Sequence, residues 1–169
     1  FNRGVWHYVN FPTFLTDRDK KTMIGGLTVN LDTVPTGEDN FNWNIIQAFK
    51  NAQRVVSDPA SSDKDKAVSL CWIFHLAGDS HQPLHSTALF TVGRFDQGDR
   101  GGNSIKTQPG SNLHSVWDGM IIGRGNPSKV ADFNDMRQRA QKIINDQPAV
   151  AIEIGGIDEW IRESLALAQ

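Results

Sequence analysis

Two His-x-x-x-Asp pairs constrain this chain more than any other feature: His75 with Asp79, and His114 with Asp118. On an α-helix, residues four apart share one face, so each pair sets an imidazole beside a carboxylate, one turn apart. Both pairs therefore ask for helices, and for a fold that can satisfy the charges those helices present. The first pair opens the run His75-Leu-Ala-Gly-Asp79-Ser-His81-Gln-Pro-Leu-His85, which holds three of the chain's five histidines. Imidazole and carboxylate donors at this density suit zinc and similar divalent ions. A metal-dependent hydrolase is the leading expectation.

The length of 169 residues fits one domain with a real core. The net charge of −2 is close to balance. A protein that grips nucleic acid by phosphate neutralisation alone would be basic, so metal ions would have to supply the positive charge here. The single cysteine, Cys71, rules out an intrachain disulfide and leaves the compartment open. It sits in an apolar helical run (Leu70, Trp72, Ile73, Phe74) and reads as a buried structural thiol. No stretch reaches the roughly 20 apolar residues of a membrane span, and no signal peptide is visible. The chain opens on Phe1 rather than Met, which suggests processing or truncation, so the missing leader does not argue for the cytoplasm.

Residues 1–15 read as a short helix or extended segment ending near Pro12. Residues 16–40, with Gly25-Gly26, Pro35 and Gly37, read as loop. Asp39 or Asn40 could cap a helix to about Ser57, with Trp43, Ile46, Phe49 and Ala52 or Gln53 at helical spacing. Asp58-Pro59 ends it. Ser61 or Ser62 starts the next helix, which carries Val68, Cys71, Trp72, His75 and Asp79 along one stripe and further apolar side chains elsewhere. A helix apolar on most of its girth belongs at the centre of a bundle, and its dyad is expected to lie deep, paired or bound to metal. Residues 86–110 read as a long loop with room for a short hairpin. Ser111 or Asn112 can cap a helix bearing His114, Trp117, Asp118 and Ile121. Gly123 to Pro127 breaks it, and helices follow at about Ser128–Asn145 and Asp158–Leu167. The expected class is all-α: one mostly helical domain over 1–169, with long loops.

A lone histidine on a helix is usually structural, and an isolated His/Asp pair can be a plain ion pair. Two such pairs plus His85 favour metal. Pro83 fixes the chain direction and could aim His85 back at the same centre. His81 lies two residues past Asp79, about 200° round the helix, and reads as a hydrogen-bonded structural residue. His7 has no spacing partner. Tyr8, Phe11 and Phe14 read as core on composition alone. Gly101-Gly102-Asn103 reads as a tight turn that could also let backbone approach a ligand.

Taken in order, Trp6-His7-Tyr8-Val9-Asn10, the His75–His85 run, Gly98-Asp-Arg-Gly-Gly-Asn103-Ser-Ile105 and Asn112-Leu-His114-Ser-Val-Trp117-Asp118 resemble the zinc-dependent S1/P1 nuclease family. The resemblance spans residues 6–118; beyond about 125 only generic helix matches. It implies a mostly helical, phospholipase C/P1 nuclease-like bundle with three zinc ions at the bottom of a cleft. It implies cleavage of single-stranded DNA and RNA to 5′-phosphorylated products, often with 3′-nucleotidase activity, in a secreted or periplasmic monomer. By motif, His7, His75 and Asp79 would ligate paired zinc ions, with Asp79 bridging, and His85, His114 and Asp118 would hold the remaining one. Tyr8 takes the place of an aromatic that stacks on a base, and Asn103 that of a substrate-contacting Asn.

Two departures bear on these expectations. The family's ligands upstream of the Trp-His-Tyr motif have no counterpart here, since Phe1 lies just before His7. A chain lacking its mature N-terminus, and its C-terminal end too, is expected. Asn10 also stands where many members have an Asp that orients the attacking water, and Asn cannot act as a base. Two rivals stay in view. Zinc phospholipase C has Glu at the Asp118 position and lacks the full His-Gln-Pro-Leu-His string. A non-catalytic zinc- or nucleotide-binding relative would account for Asn10.

Overall fold

The computed structural model describes residues 3–37, 40–107, 111–119, 133–146 and 155–169. Helices dominate, with two small two-stranded sheets. A single 3-10 turn, Gly4–His7, leads into strand β1 (Phe11–Phe14) and helix α1 (Asp17–Met23). Then come a second 3-10 turn at Ile24–Gly26, α2 (Ile45–Ser57), α3 (Asp63–Ser80), a third 3-10 turn at Pro83–His85 and strand β2 (Thr87–Phe90). Strands β3 (Lys106–Thr107) and β4 (Ser111–Asn112), then helices α4 (Leu113–Asp118), α5 (Phe133–Asp146) and α6 (Ile157–Ala168), complete the order.

The core is built where α2 packs on α3. Ile45, Ile46, Ala48 and Phe49 of α2 meet Leu76 of α3, Trp6 and Val9 from the N-terminal segment, and Ile157 and Ile161 of α6. Trp6 stacks on Trp43 at 6.0 Å and tilts onto Trp72 at 5.0 Å, which fixes the segment before His7 against α3. Helix α6 closes the far end of α3: Ser164 Oγ donates to the Ser80 carbonyl at 2.6 Å, satisfying a helix-end acceptor. Trp160 of α6 lies 5.2 Å from the His81 ring.

The helix boundaries follow their caps. Ser62 Oγ accepts from Asp65 N at 3.1 Å and begins α3 as expected. Asn112 Oδ1 accepts from Ser115 N at 2.8 Å and begins α4. Asp58 is extended before Pro59 and stops α2. The start of α2 falls later than expected, because Asn44 and not Asn40 is its cap; the expected alternative Asp39 lies outside the described residues, as do Ile121, the Gly123–Pro127 break and the first turn expected at Ser128. Asn44 Oδ1 accepts from Ile46 N and Gln47 N at 3.0 and 3.2 Å. Its Nδ2 donates to the carbonyls of Asn30 and Asp32, both at 3.0 Å. Gln47 returns a bond to Asn44 N and reaches the Val34 carbonyl at 2.9 Å. Two buried amides thus sew an irregular segment onto the start of a helix.

Three expectations are corrected. Residues 16–40 are not all loop: α1 forms because Thr16 Oγ1 accepts from Asp19 N at 3.1 Å, and its polar sequence carries no hydrophobic period to betray it. Asp19 then accepts from Val92 N at 3.0 Å; the Thr16 hydroxyl and that bond hold its carboxyl below the usual aspartate range. Residues 86–110 contain β2, whose parallel partner is β1, in the register Phe11 to Thr87 through Phe14 to Phe90. Helix α3 is not central among the described residues. Phe74 is 75% exposed and Val68 51%, and Cys71 is exposed rather than a buried thiol. An apolar girth marks surface that can be buried; α2, α6 and the N-terminal turn cover one side of it.

Replacing Asn44 by Ala removes four hydrogen bonds at once and leaves two carbonyls and two amides to find water. The expected loss is about 2–3 kcal/mol, a fall in melting temperature on the order of 8 °C for a chain of this size. Thermal unfolding followed by circular dichroism checks it.

Candidate metal centre

The parallel pairing of residues 9–14 with 85–90 is what assembles the site. Val9 N donates to the His85 carbonyl at 2.8 Å and Phe11 N to the Ser86 carbonyl at 3.1 Å. This ladder lays the His7 end of the first segment alongside His85. Gln82 caps the Pro83–His85 turn by accepting from Leu84 N at 2.6 Å, and Pro83 redirects the chain after α3, as expected.

Two clusters result. In the first, His7 Nδ1 lies 2.9 Å from Asp79 Oδ2 and 3.0 Å from His75 Nε2, and His75 Nε2 lies 3.3 Å from the same carboxylate oxygen. In the second, His85 Nε2 lies 3.2 Å from His114 Nε2, which lies 3.7 Å from Asp118 Oδ2. Within each cluster the donor atoms fall within 4.8 Å of one another. Asp79 links the two, because its other oxygen, Oδ1, is 3.9 Å from His85 Nδ1. His7, without a spacing partner in the sequence, is brought in by tertiary structure alone. His85 joins His114 rather than the His75/Asp79 pair it follows.

The second cluster meets a test of metal fit on its own chemistry. His85 Nδ1 lies 2.6 Å from the His7 carbonyl, and His114 Nδ1 lies 2.8 Å from the Gly101 carbonyl. A carbonyl only accepts, so in both rings Nδ1 carries the hydrogen and donates. A neutral ring then has a bare lone pair on Nε2. Burial pushes the His85 imidazole below its ordinary pKa, and the neighbouring His114 acts the same way, against the opposing pull of the His7 carbonyl and Asp79. With both rings neutral, two lone pairs face each other at 3.2 Å, an arrangement relieved by a cation between them, whether a metal ion or a proton shared by the rings. Tetrahedral zinc with nitrogen ligands at about 2.0–2.1 Å separates neighbouring ligand atoms by about 3.3 Å. Carbonyls that fix the far nitrogen are the usual support of metal-ligating histidines.

Other residues hold the ligands in place. Gln82 Nε2 donates to Asp118 Oδ1 at 3.0 Å, leaving Oδ2 toward His114. Nothing in the sequence singles out Gln82 for this role beyond its place between the two His-x-x-x-Asp pairs. Trp72 sets its ring edge-on to His7 at 5.7 Å. His81 donates from Nδ1 to the Ala77 carbonyl at 2.7 Å and belongs to neither cluster, the structural role expected of it.

A cavity of about 350 Å³ opens over the second cluster, lined in part by Tyr8, Asn10, His85, Asn103 and His114. Tyr8, which composition alone placed in the core, is 36% exposed at its wall. Asn103 lines the same space while its Nδ2 donates to the Arg100 carbonyl at 2.9 Å. Every residue singled out from the sequence as ligand or substrate contact lies at the two clusters or on this wall.

A mostly helical chain with two adjoining His/Asp clusters beside a polar cleft has the makings of a metal-dependent hydrolase. The S1/P1 Nuclease family profile matches residues 2–169, and the chain belongs to that family. It is similar to Endonuclease 5 of Arabidopsis thaliana, 32% identical over 120 residues, which cover 69% of this chain and 36% of that protein. Endonuclease 4 of the same plant is 31% identical over 120 residues, with the same coverage, and Endonuclease 3 is 34% identical over 86 residues, 49% of this chain and 24% of that protein. The chain thus spans about a third of the length of the curated relatives it matches.

Gly101 (φ 58°) presents its carbonyl to His114, and a Cβ there would collide with the Leu84 carbonyl oxygen. Gly101→Ala is expected to turn the His114 ring and lower divalent-metal affinity about 10- to 100-fold, with a stability loss of about 1–3 kcal/mol. Zinc titration of the chelator-stripped protein, beside a thermal melt, measures both.

Proposed function

We propose that this chain carries the metal centre of a zinc-dependent phosphodiesterase that hydrolyses single-stranded DNA and RNA to 5′-phosphorylated products, with 3′-nucleotidase activity on the same site. The observation that carries this reading is the pair of Nε2 atoms of His85 and His114, held 3.2 Å apart beside Asp118 with a carbonyl behind each ring. Membership of the S1/P1 nuclease family directs that centre toward nucleic acid.

The assignment follows the clusters. His85, His114 and Asp118 hold one zinc, and His7, His75 and Asp79 serve the paired ions, with Asp79 facing both clusters. Three zinc ions are the expected complement. Bound zinc supplies positive charge for a phosphoryl oxygen and makes water acidic enough to ionise near neutral pH. Around it the chain's own residues bind and orient. Tyr8 offers an exposed ring face on which any base can stack. Asn103 offers an amide to a base or sugar, once its bond to the Arg100 carbonyl is exchanged or shared. Asn10, on the same wall, can donate or accept a hydrogen bond and so position water, but it cannot take a proton, which leaves proton removal to the metal-lowered pKa. Asp118 rather than Glu at the end of the second pair favours this reading over a zinc phospholipase C. No helix searched among the described residues is long and apolar enough to cross a membrane; a secreted or periplasmic monomer is carried over from the family resemblance.

Elemental analysis of the purified protein and cleavage of a fluorescent single-stranded oligonucleotide test the proposal together. The wild-type protein is expected to hold zinc and cut the strand. His114→Ala is expected to lose one zinc and to cut on the order of 100-fold more slowly or worse. Zinc-bound protein that cleaves phosphatidylcholine but no oligonucleotide would establish the phospholipase. Zinc-bound protein that cleaves neither, nor a 3′-nucleotide, would establish a binding protein.

A further inference from the structure

Among the described residues, Arg100 is the one non-glycine with a left-handed backbone, φ 61°. Side chains disfavour that region, and a residue is found there when its surroundings impose it. Here they do. Asp99, 3% exposed, accepts from Leu89 N at 2.9 Å through Oδ1 and from Gly102 N at 3.0 Å through Oδ2. Its own N donates to the Leu89 carbonyl at 3.0 Å. On the other side, Asn103 donates to the Arg100 carbonyl from both its backbone N, at 3.3 Å, and its Nδ2, at 2.9 Å. Arg100 is pinned between a buried carboxylate clamp and an amide. Glycine occupies the left-handed positions at 98, 101 and 102 without strain. Position 100 tolerates the strain and keeps a side chain.

That side chain is an exposed cation at the wall of the cavity over the second cluster. It is the one arginine or lysine in that lining, and no carboxylate among the described residues pairs with it. An unpaired guanidinium beside a metal-binding cluster, on a chain of net charge −2, is placed to meet an anion. Its planar fork matches the oxygens of a phosphate, two at a time.

We infer that Arg100 is a substrate-binding residue, whose guanidinium holds a phosphate of a single-stranded nucleic acid while Tyr8 receives a base in the same cavity. This rests on the nuclease reading and adds to it the residue that grips the strand. The pinned backbone presents the guanidinium from a fixed base, so less freedom is lost when the strand binds.

Arg100→Gly is the informative variant, because it removes the cation and relieves the backbone strain together, and so has no reason to misfold. Its melting temperature and zinc content are expected to equal or exceed those of the wild type. On a mixed-sequence single-stranded oligonucleotide its KM is expected to rise about 10-fold with kcat within twofold. The slope of log kcat/KM against log salt is expected to become shallower by about 0.7, the loss of one phosphate contact on a single strand. Arg100→Lys restores the slope and part of the KM, since it keeps the charge and loses the fork. Anisotropy of the labelled strand with chelator-treated protein gives the same ranking without turnover. A variant that matches the wild type in KM and salt slope overturns the inference and leaves the nuclease reading intact. A fall in kcat and zinc content with an unchanged slope overturns it too, and makes Arg100 structural. Wild-type protein that neither binds nor cuts the strand overturns both readings.

Discussion

The site depends on a few backbone hydrogen bonds that join residues more than 70 positions apart. Val9 and Phe11 donate to the carbonyls of His85 and Ser86, and β1 and β2 carry the pairing on. Because a strand alternates its faces, the register decides which side chains share a side. In the observed register His7 faces Asp79, and its carbonyl is free to receive the His85 ring. A slip of one residue would turn His7 away and orphan the His85 Nδ1–H. Two four-residue strands could not hold this register alone; the Trp6, Trp43 and Trp72 contacts and buried Val9 anchor it against α2 and α3.

The two clusters solve the cost of gathering polar groups in different ways. In the His85/His114 cluster the carbonyls settle which nitrogen carries the proton, so the inward faces are left as acceptors only. With both rings neutral, such a set is suited to a cation. In the His7/His75/Asp79 cluster the carboxylate accepts directly from imidazole, and the group can be satisfied as a hydrogen-bonded trio. The His85/His114 cluster therefore argues for metal by its geometry. The His7/His75/Asp79 cluster argues for it through its donor set, with the other Asp79 oxygen 3.9 Å from the far nitrogen of the His85 ring.

What the sequence disclosed divides along the range of the interactions involved. The His-x-x-x-Asp pairs were legible because helical spacing is local, and α3, α4 and α6 fell where caps and periodicity placed them. Helix α1 was not, since Asp17–Met23 is polar and its one signal was the Thr16/Asp19 cap. Asp39 and Asn40 were the caps expected for α2; the partners that choose Asn44, the carbonyls of Asn30 and Asp32, belong to tertiary structure. The β1–β2 pair was hidden for the same reason, with Pro12 in one short strand and a glycine-rich stretch after the other. Cys71 and Phe74 show the opposite error: an apolar helix face was taken as a covered one. Among the proposed site residues, His7, Tyr8 and Asn103 were named through the resemblance, since no local spacing marks them.

The Gly98–Asn103 loop shows why a site of this kind needs glycine in particular places. To deliver its carbonyl to His114, the chain must pass so close to Leu84 that no Cβ fits at 101, and Gly102 is hemmed in by the Leu84 side chain and the His114 backbone. Leu84 in turn is fixed by the Gln82 cap, and Gln82 holds Asp118. The turn that positions His85, the loop that orients His114 and the amide that aims Asp118 therefore form one closed circuit. Each ligand of the second cluster is supported by an element that also supports another, so the geometry is held by mutual constraint. A loop under such constraint can carry one strained residue, and it places that residue, Arg100, where the cavity opens.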